Sequence, residues 1–169
     1  MHAILFHEHK LTKELVETLD RKLDDIADEC SKVPDPDSIG LFDSAEHVTG
    51  LGFVTLQAYL TAVYGILGIE KKTVLQLGPK HSDGNTIVKI INDAANYWKH
   101  NNEWSLDKTP KRRELIEQTF ESVGFSIDLE YPLSGILTEL SVPRFASLSA
   151  VFEKLEMWQV ELEVPSQKA

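Results

Sequence analysis

One cysteine, Cys30, stands in the 169 residues, so no internal disulfide can staple the fold. That scarcity suits a reducing compartment. With no flanking base, Cys30 reads as a small thiol ending an amphipathic helix rather than a nucleophile. The first residues show no basic segment followed by an apolar stretch and a small-residue cleavage site, which predicts a cytoplasmic location. Positive charge is also short: 17 Lys+Arg face 27 Asp+Glu, a net −10. No summed positive field is available to draw in a polyanion from a distance, which argues against long-range DNA binding. A phosphate-binding Walker loop, a G-x-S-x-G elbow, an H-E-x-x-H pair and a cysteine cluster are all missing, so no cofactor is expected. No metal site is expected either. His7 and His9, two residues apart, point in different directions on a helix and have no third ligand placed beside them. The segment around them reads as a terminus without fixed structure, and Glu46-His47 fails as a ligand pair for the same reason.

What is present suffices for one core. At 42% hydrophobic, residues 1–169 fit a single domain with no Gly-Ser linker, low-complexity tract or internal repeat. Charge is uneven along it. Residues 1–47 hold 5 basic and 12 acidic side chains (−7), residues 48–109 hold 6 and 5 (+1), and residues 110–169 hold 6 and 10 (−4).

Leu11, Leu15, Leu19, Leu23, Ile26 and Cys30 step by three and four, which predicts an amphipathic helix over about 10–31. Pro34 and Pro36 then break the backbone pattern, making 32–44 a connection. From Val48 to Ile69 there is no charged side chain. A stretch of that length can in principle cross a bilayer. Gln57, three threonines and few flanking cations favour instead the central helix of a bundle, apolar all round because its neighbours surround it, and no membrane is expected. Gly50, Gly52, Gly65 and Gly68 in that run mark close backbone packing or frayed ends. Residues 77–85 read as a turn-rich loop, after which Asn85 or Thr86 caps a helix over 87–103. A fourth helix begins after Pro110, with Leu115, Ile116 and Phe120 on its inner side, and ends at Gly124. Phe125, Ile127, Leu129 and Tyr131 alternate with polar residues, which predicts a short extended segment over 125–131. A short helix over 133–140 and a last long one, with Ser141 near its cap and Phe145 to Leu162 on its inner face, complete the chain. The fold class expected is all-α, a bundle of five to six helices.

One polar stretch rich in asparagine is Asn92-Asp-Ala-Ala-Asn-Tyr-Trp-Lys-His-Asn-Asn-Glu-Trp104. On a helical wheel Ile87, Ile90, Ile91, Ala94, Ala95, Tyr97 and Trp98 share one apolar sector facing the core. Lys89, Asp93, Asn96 and His100 fall within about 60° of one another on the far side. The plainest reading of that stripe is a solvent-facing surface, and the next an oligomer interface. The sharper reading is chemical. A histidine oriented by Asn96 or Asp93 can move protons near neutrality, as phosphodiester cleavage requires. Lys89 lies about 16 Å from His100 along the axis, too far to share one phosphate with it. Cations serving His100 must therefore come from Lys99, Arg112 or Arg113, or from a second subunit. Lys111-Arg112-Arg113 at a helix start otherwise reads as a solvated first turn.

A helical bundle whose third long helix ends in Asn96-Tyr97-Trp98-Lys99-His100 resembles the HEPN superfamily. The resemblance covers the first four helices in outline and is specific only over those five residues. It implies a small dimeric protein of a prokaryotic defence or toxin–antitoxin system, acting on RNA without a metal, with two motif helices facing each other. The superfamily's active motif has four to six residues between an arginine and the histidine, with a polar residue straight after the arginine. Here Asp93, Ala94 and Ala95 occupy the arginine positions. His100 is then carried over as the catalytic candidate and Asn96 as its polar partner, with Lys89, Asp93, Lys99, Arg112 and Arg113 as binding candidates. The missing arginine points to a non-cleaving member or a divergent site. The expected partners are a second copy of the chain and either RNA or another protein. The competing reading is a non-catalytic interaction module that binds a protein through its acidic first helix and polar stripe.

Overall fold

The computed structural model describes residues 2–81, 84–104 and 111–163. Its α-helices run in chain order as α1 (His2–Cys30), α2 (Leu41–Leu67), α3 (Lys71–Val74), α4 (Ile87–His100), α5 (Lys111–Ser122), α6 (Pro132–Ser141) and α7 (Leu148–Glu163). Short 3-10 turns at Asp37–Ile39 and Asn101–Glu103 precede α2 and follow α4. The fold is the expected all-α bundle around a long apolar helix. Ser82 and Asp83 of the expected loop, and Pro110 before α5, lie outside the described residues.

Helix α2 is the axis: it packs against α1, α3, α4, α6 and α7. Length and composition alone would let it cross a bilayer, yet Phe53, Leu56, Tyr59, Leu60 and Val63 are buried against other helices of the chain. It begins at Leu41, seven residues before the uncharged run, once Gly40 turns the chain with φ 73°. Gly68 stops it in the same left-handed conformation, which costs a glycine little. A Cβ built on Gly50 would lie 2.2 Å from the Trp98 ring, and one on Gly52 would lie 2.4 Å from Leu148. These two positions let α4 and α7 approach the axis closely.

Several sequence expectations shift. The inner line of α1 runs through Leu5, Thr12, Val16, Leu19, Leu23 and Ile26, while Leu11 and Leu15 are exposed. Steps of four drift about 40° each around a 3.6-residue helix, so Leu11, Leu15, Leu19 and Leu23 cannot share one line. The N-terminal part of α1 is helical, not irregular, because Leu5 is buried and His9 Nε2 lies 2.5 Å from Glu156 Oε1 on α7. Among the described residues there is no strand; 125–131 is turns and bends that bury Ile127 and press Phe125 against Gly135. An alternating pattern of this length forms a strand only with a partner, and none is beside it. Leu115 is exposed on α5, whose buried face is Ile116, Thr119 and Phe120. Helix α7 begins at Leu148, so Phe145 lies before it and is 83% exposed.

Two carboxylates from the long N-terminal helices cap the C-terminal ones. Asp20 of α1 accepts the amides of Leu148 and Ser149 at 2.7 and 3.0 Å, at the start of α7. Glu46 of α2 accepts the amides of Leu133 and Ser134 at 2.7 and 2.8 Å and the Ser134 hydroxyl at 2.6 Å, at the start of α6. Each satisfies backbone donors that a helix end leaves without partners.

The glycines make the packing testable by thermal and denaturant unfolding. Gly50→Ala forces the rigid Trp98 ring to move and is expected to cost about 1–3 kcal/mol, the range for overpacking a core. Gly52→Ala meets the end of a flexible leucine and costs less. Gly65, with open space at its Cβ, gains up to about 1 kcal/mol on changing to Ala through helix propensity. Equal effects at positions 50 and 65 would contradict this packing.

Candidate functional site

The site grows from Gln57, the one amide side chain in the uncharged run of α2. Buried against α4, its Nε2 donates to Asn92 O at 3.1 Å, Asn92 Oδ1 at 3.0 Å and Asn96 Oδ1 at 3.2 Å. Its Oε1 accepts Lys99 Nζ at 2.6 Å. Asn92 Nδ2 in turn donates to Asp93 Oδ1 at 2.9 Å. Asp93 Oδ2 accepts Lys89 Nζ at 3.1 Å and the Thr119 hydroxyl at 2.8 Å, and Lys89 also donates to Thr119. One hydrogen-bonded seam thus joins α2, α4 and α5. Among the described residues no buried side-chain nitrogen or oxygen lacks a partner, as a polar network in a core must achieve.

The stripe read from the wheel is therefore buried at its middle and open at its ends: Asn96 is only 5% exposed, while the Lys89 and His100 side chains keep 30% and 31%. Its neighbours explain the difference. Helix α4 is flanked by α2 on one side and α5 on the other, so its polar stripe is enclosed at both edges. Helical periodicity says that residues share a face but not how many partners cover it.

The structure separates some expected site residues and joins others. Asn96 and Lys99 meet through Gln57, and Lys89 and Asp93 form an ion pair. His100 ends α4 with its side chain 31% exposed and Nδ1 3.0 Å from Glu103 Oε2; no hydrogen bond links it to Asn96 or Asp93. The expected orienting partner is thus replaced by Glu103, three residues along. Arg113 pairs with Asp128 at 3.4 Å, while Arg112 pairs with no carboxylate among the described residues. Lys99 has its pKa lowered, first by burial and then by the charges of Arg112 and Lys71. Lys71, Lys99 and Arg112 therefore gather positive charge beside the seam. Trp98 is half-buried, its ring against Gly50 and the His47 ring at 4.9 Å. Trp104 is buried and meets Tyr97 at 5.9 Å.

Sequence reading missed Gln57, Asn92, Thr119 and Lys71. Gln57 carried a usable signal, since a lone amide in a buried apolar run must find polar partners. No group of His, Cys, Asp and Glu suited to a metal occurs among the described residues.

Gln57→Leu removes the donor and acceptor that the Asn92, Asn96 and Lys99 side chains share, and unfolding measurements are expected to show a loss of about 1–3 kcal/mol. Arg112→Gln removes a cation that disfavours the charged lysine, so the Lys99 pKa should rise toward its ordinary value in an NMR titration. An unchanged Lys99 titration would place Arg112 elsewhere. Comparison with models of known families, with curated proteins and with solved structures finds no match for this chain, leaving its residues and geometry to carry a functional reading.

Proposed function

We propose that this protein is a HEPN-like bundle that binds the phosphate backbone of RNA at the C-terminal end of α4. The observation carrying this reading is the Lys99 amine, held by Gln57 Oε1 at 2.6 Å and repelled by the charges of Arg112 and Lys71, on a chain of net −10. Neither Lys71 nor Arg112 has a carboxylate partner among the described residues. Grouping cations without counter-charges raises their mutual repulsion, which an incoming phosphate relieves. The buried amides of Gln57, Asn92 and Asn96 support the same reading, since they hold the Lys99 amine in one place. Asn96 contributes by positioning Lys99 through Gln57, because its carboxamide is enclosed. From the resemblance come the further proposals of a homodimer and a role in prokaryotic defence or a toxin–antitoxin system, and the single cysteine supports the proposal of a cytoplasmic location.

A second reading, cleavage, rests on His100. A carboxylate at Nδ1 favours the tautomer with its proton there, leaving the Nε2 lone pair free to accept one. In that reading Nε2 takes the proton of an RNA 2′-hydroxyl, the 2′-oxygen attacks the adjacent phosphorus, and the P–O5′ bond breaks with the 5′-oxygen taking a proton from water, giving a 2′,3′-cyclic phosphate and a 5′-hydroxyl without a metal.

Fluorescence anisotropy with a labelled single-stranded oligouridylate separates the readings. Three phosphate contacts predict a log–log salt slope of about −2, and Lys99→Gln or Arg112→Gln each reduces it by about 0.7. Binding that ignores both substitutions overturns the proposed site. Cutting of the same RNA in excess chelator, abolished by His100→Ala, adds the enzymatic step; intact RNA with normal binding leaves a binding protein.

A further inference from the structure

A second feature lies away from this site. Helices α1, α2 and α6, with the segment before α7, enclose an apolar groove of about 330 Å³. Leu23, Ile26, Phe42, Ala45, Leu137 and Phe145 are among its walls. A smaller hollow, lined by Phe42, Ala45, Tyr131 and Ser134, continues it along α2. Phe145 stands at its edge and is 83% exposed, although a phenylalanine gains most by leaving water. Val142, just before it, is also exposed.

The Tyr131 end is acidic. The Tyr131 hydroxyl donates to Asp37 Oδ1 at 2.5 Å. That bond, then burial, then the charges of Asp37, Asp43 and Glu130 push its ionisation above the ordinary tyrosine range. None of these three acids pairs with a lysine or arginine among the described residues, and residues 1–47 as a whole carry 5 basic against 12 acidic side chains. An apolar trough closed at one end by uncompensated carboxylates is complementary to a chain that is apolar on one side and cationic at one end. The same acids repel nucleic acid and anionic lipid.

We infer that this groove is a docking site for a basic amphipathic helix of a partner protein, whose apolar face packs on Phe42, Leu137 and Phe145 while its lysines or arginines meet Asp37, Asp43 and Glu130. Helix α6, which runs beside the groove, has 10 residues, about 15 Å at 1.5 Å each, so an incoming helix makes about three turns of contact. The recognition is the helix-in-groove kind, read through apolar positions three and four apart.

The probe is a fluorescein-labelled 16-residue peptide of leucine and lysine at amphipathic helical spacing, beside a second peptide with glutamate in place of lysine. The intact chain is expected to bind the lysine peptide at least tenfold more tightly than the glutamate one. Phe145→Asp, at a position too exposed to support the fold, weakens the lysine peptide at least tenfold with an unchanged melting curve. The pair Asp37→Asn and Asp43→Asn weakens it and flattens its salt dependence. Equal binding of the two peptides, or binding indifferent to Phe145→Asp, overturns the inference. Sedimentation velocity supplies a further refutation: concentration-dependent self-association abolished by Phe145→Asp would make the occupant a second copy of this chain.

Discussion

The absence of charge from Val48 to Ile69 constrains everything around it. A helix with so little polar surface gains most by packing on other helices, and α1, α4, α6 and α7 pack on it, burying Phe53, Leu56, Tyr59, Leu60 and Val63. Covering it on several sides requires close approach, which Gly50 and Gly52 provide by making room for Trp98 and Leu148. The rest follows as consequence. Helix α4 is drawn against α2 at Gly50 and Gln57, and α7 is brought near enough to α1 for His9 to reach Glu156.

Apolar contact alone would leave the helices free to slide, and the polar groups limit this. Asp20 and Glu46 reach across to the first turns of α7 and α6, fixing where each begins relative to the long helices. Burial raises the Glu46 carboxyl above the usual range, while its three donors pull the other way. The seam from Lys99 through Gln57 to Asp93 and Thr119 does the same for α4. Hydrogen bonds in a core are strongly directional, so these set register where hydrocarbon packing does not.

Registration and function meet at Lys99. Its amine is held by Gln57 and is repelled by Arg112 and Lys71, so structural polar groups and the proposed phosphate site share one lysine. The apolar groove lies beside the N-terminal part of α2 and uses other elements, with acids where the seam has cations. The proposed RNA site and the proposed peptide groove thus carry charges of opposite sign.

Much of the fold was legible because the relevant signals are local. The 3.6-residue period marked α1, α4 and α7, while prolines and Gly124 marked the breaks. The uncharged run identified the central helix, and two of its four glycines proved to be points of close packing. The alternation over 125–131 misled because a strand needs a neighbour that its own residues do not name. Exposure of Phe145 and burial of Asn96 were equally hidden, each depending on where another helix begins or lies. By itself, then, the sequence determined the helical class, the central helix and the clustering of polar residues near position 96, since these depend on spacing along one chain. Only tertiary structure decided that Gln57 meets Asn96, that Arg112 stands near Lys99 and that His100 turns to Glu103, because those encounters depend on how separate helices pack or how a helix ends.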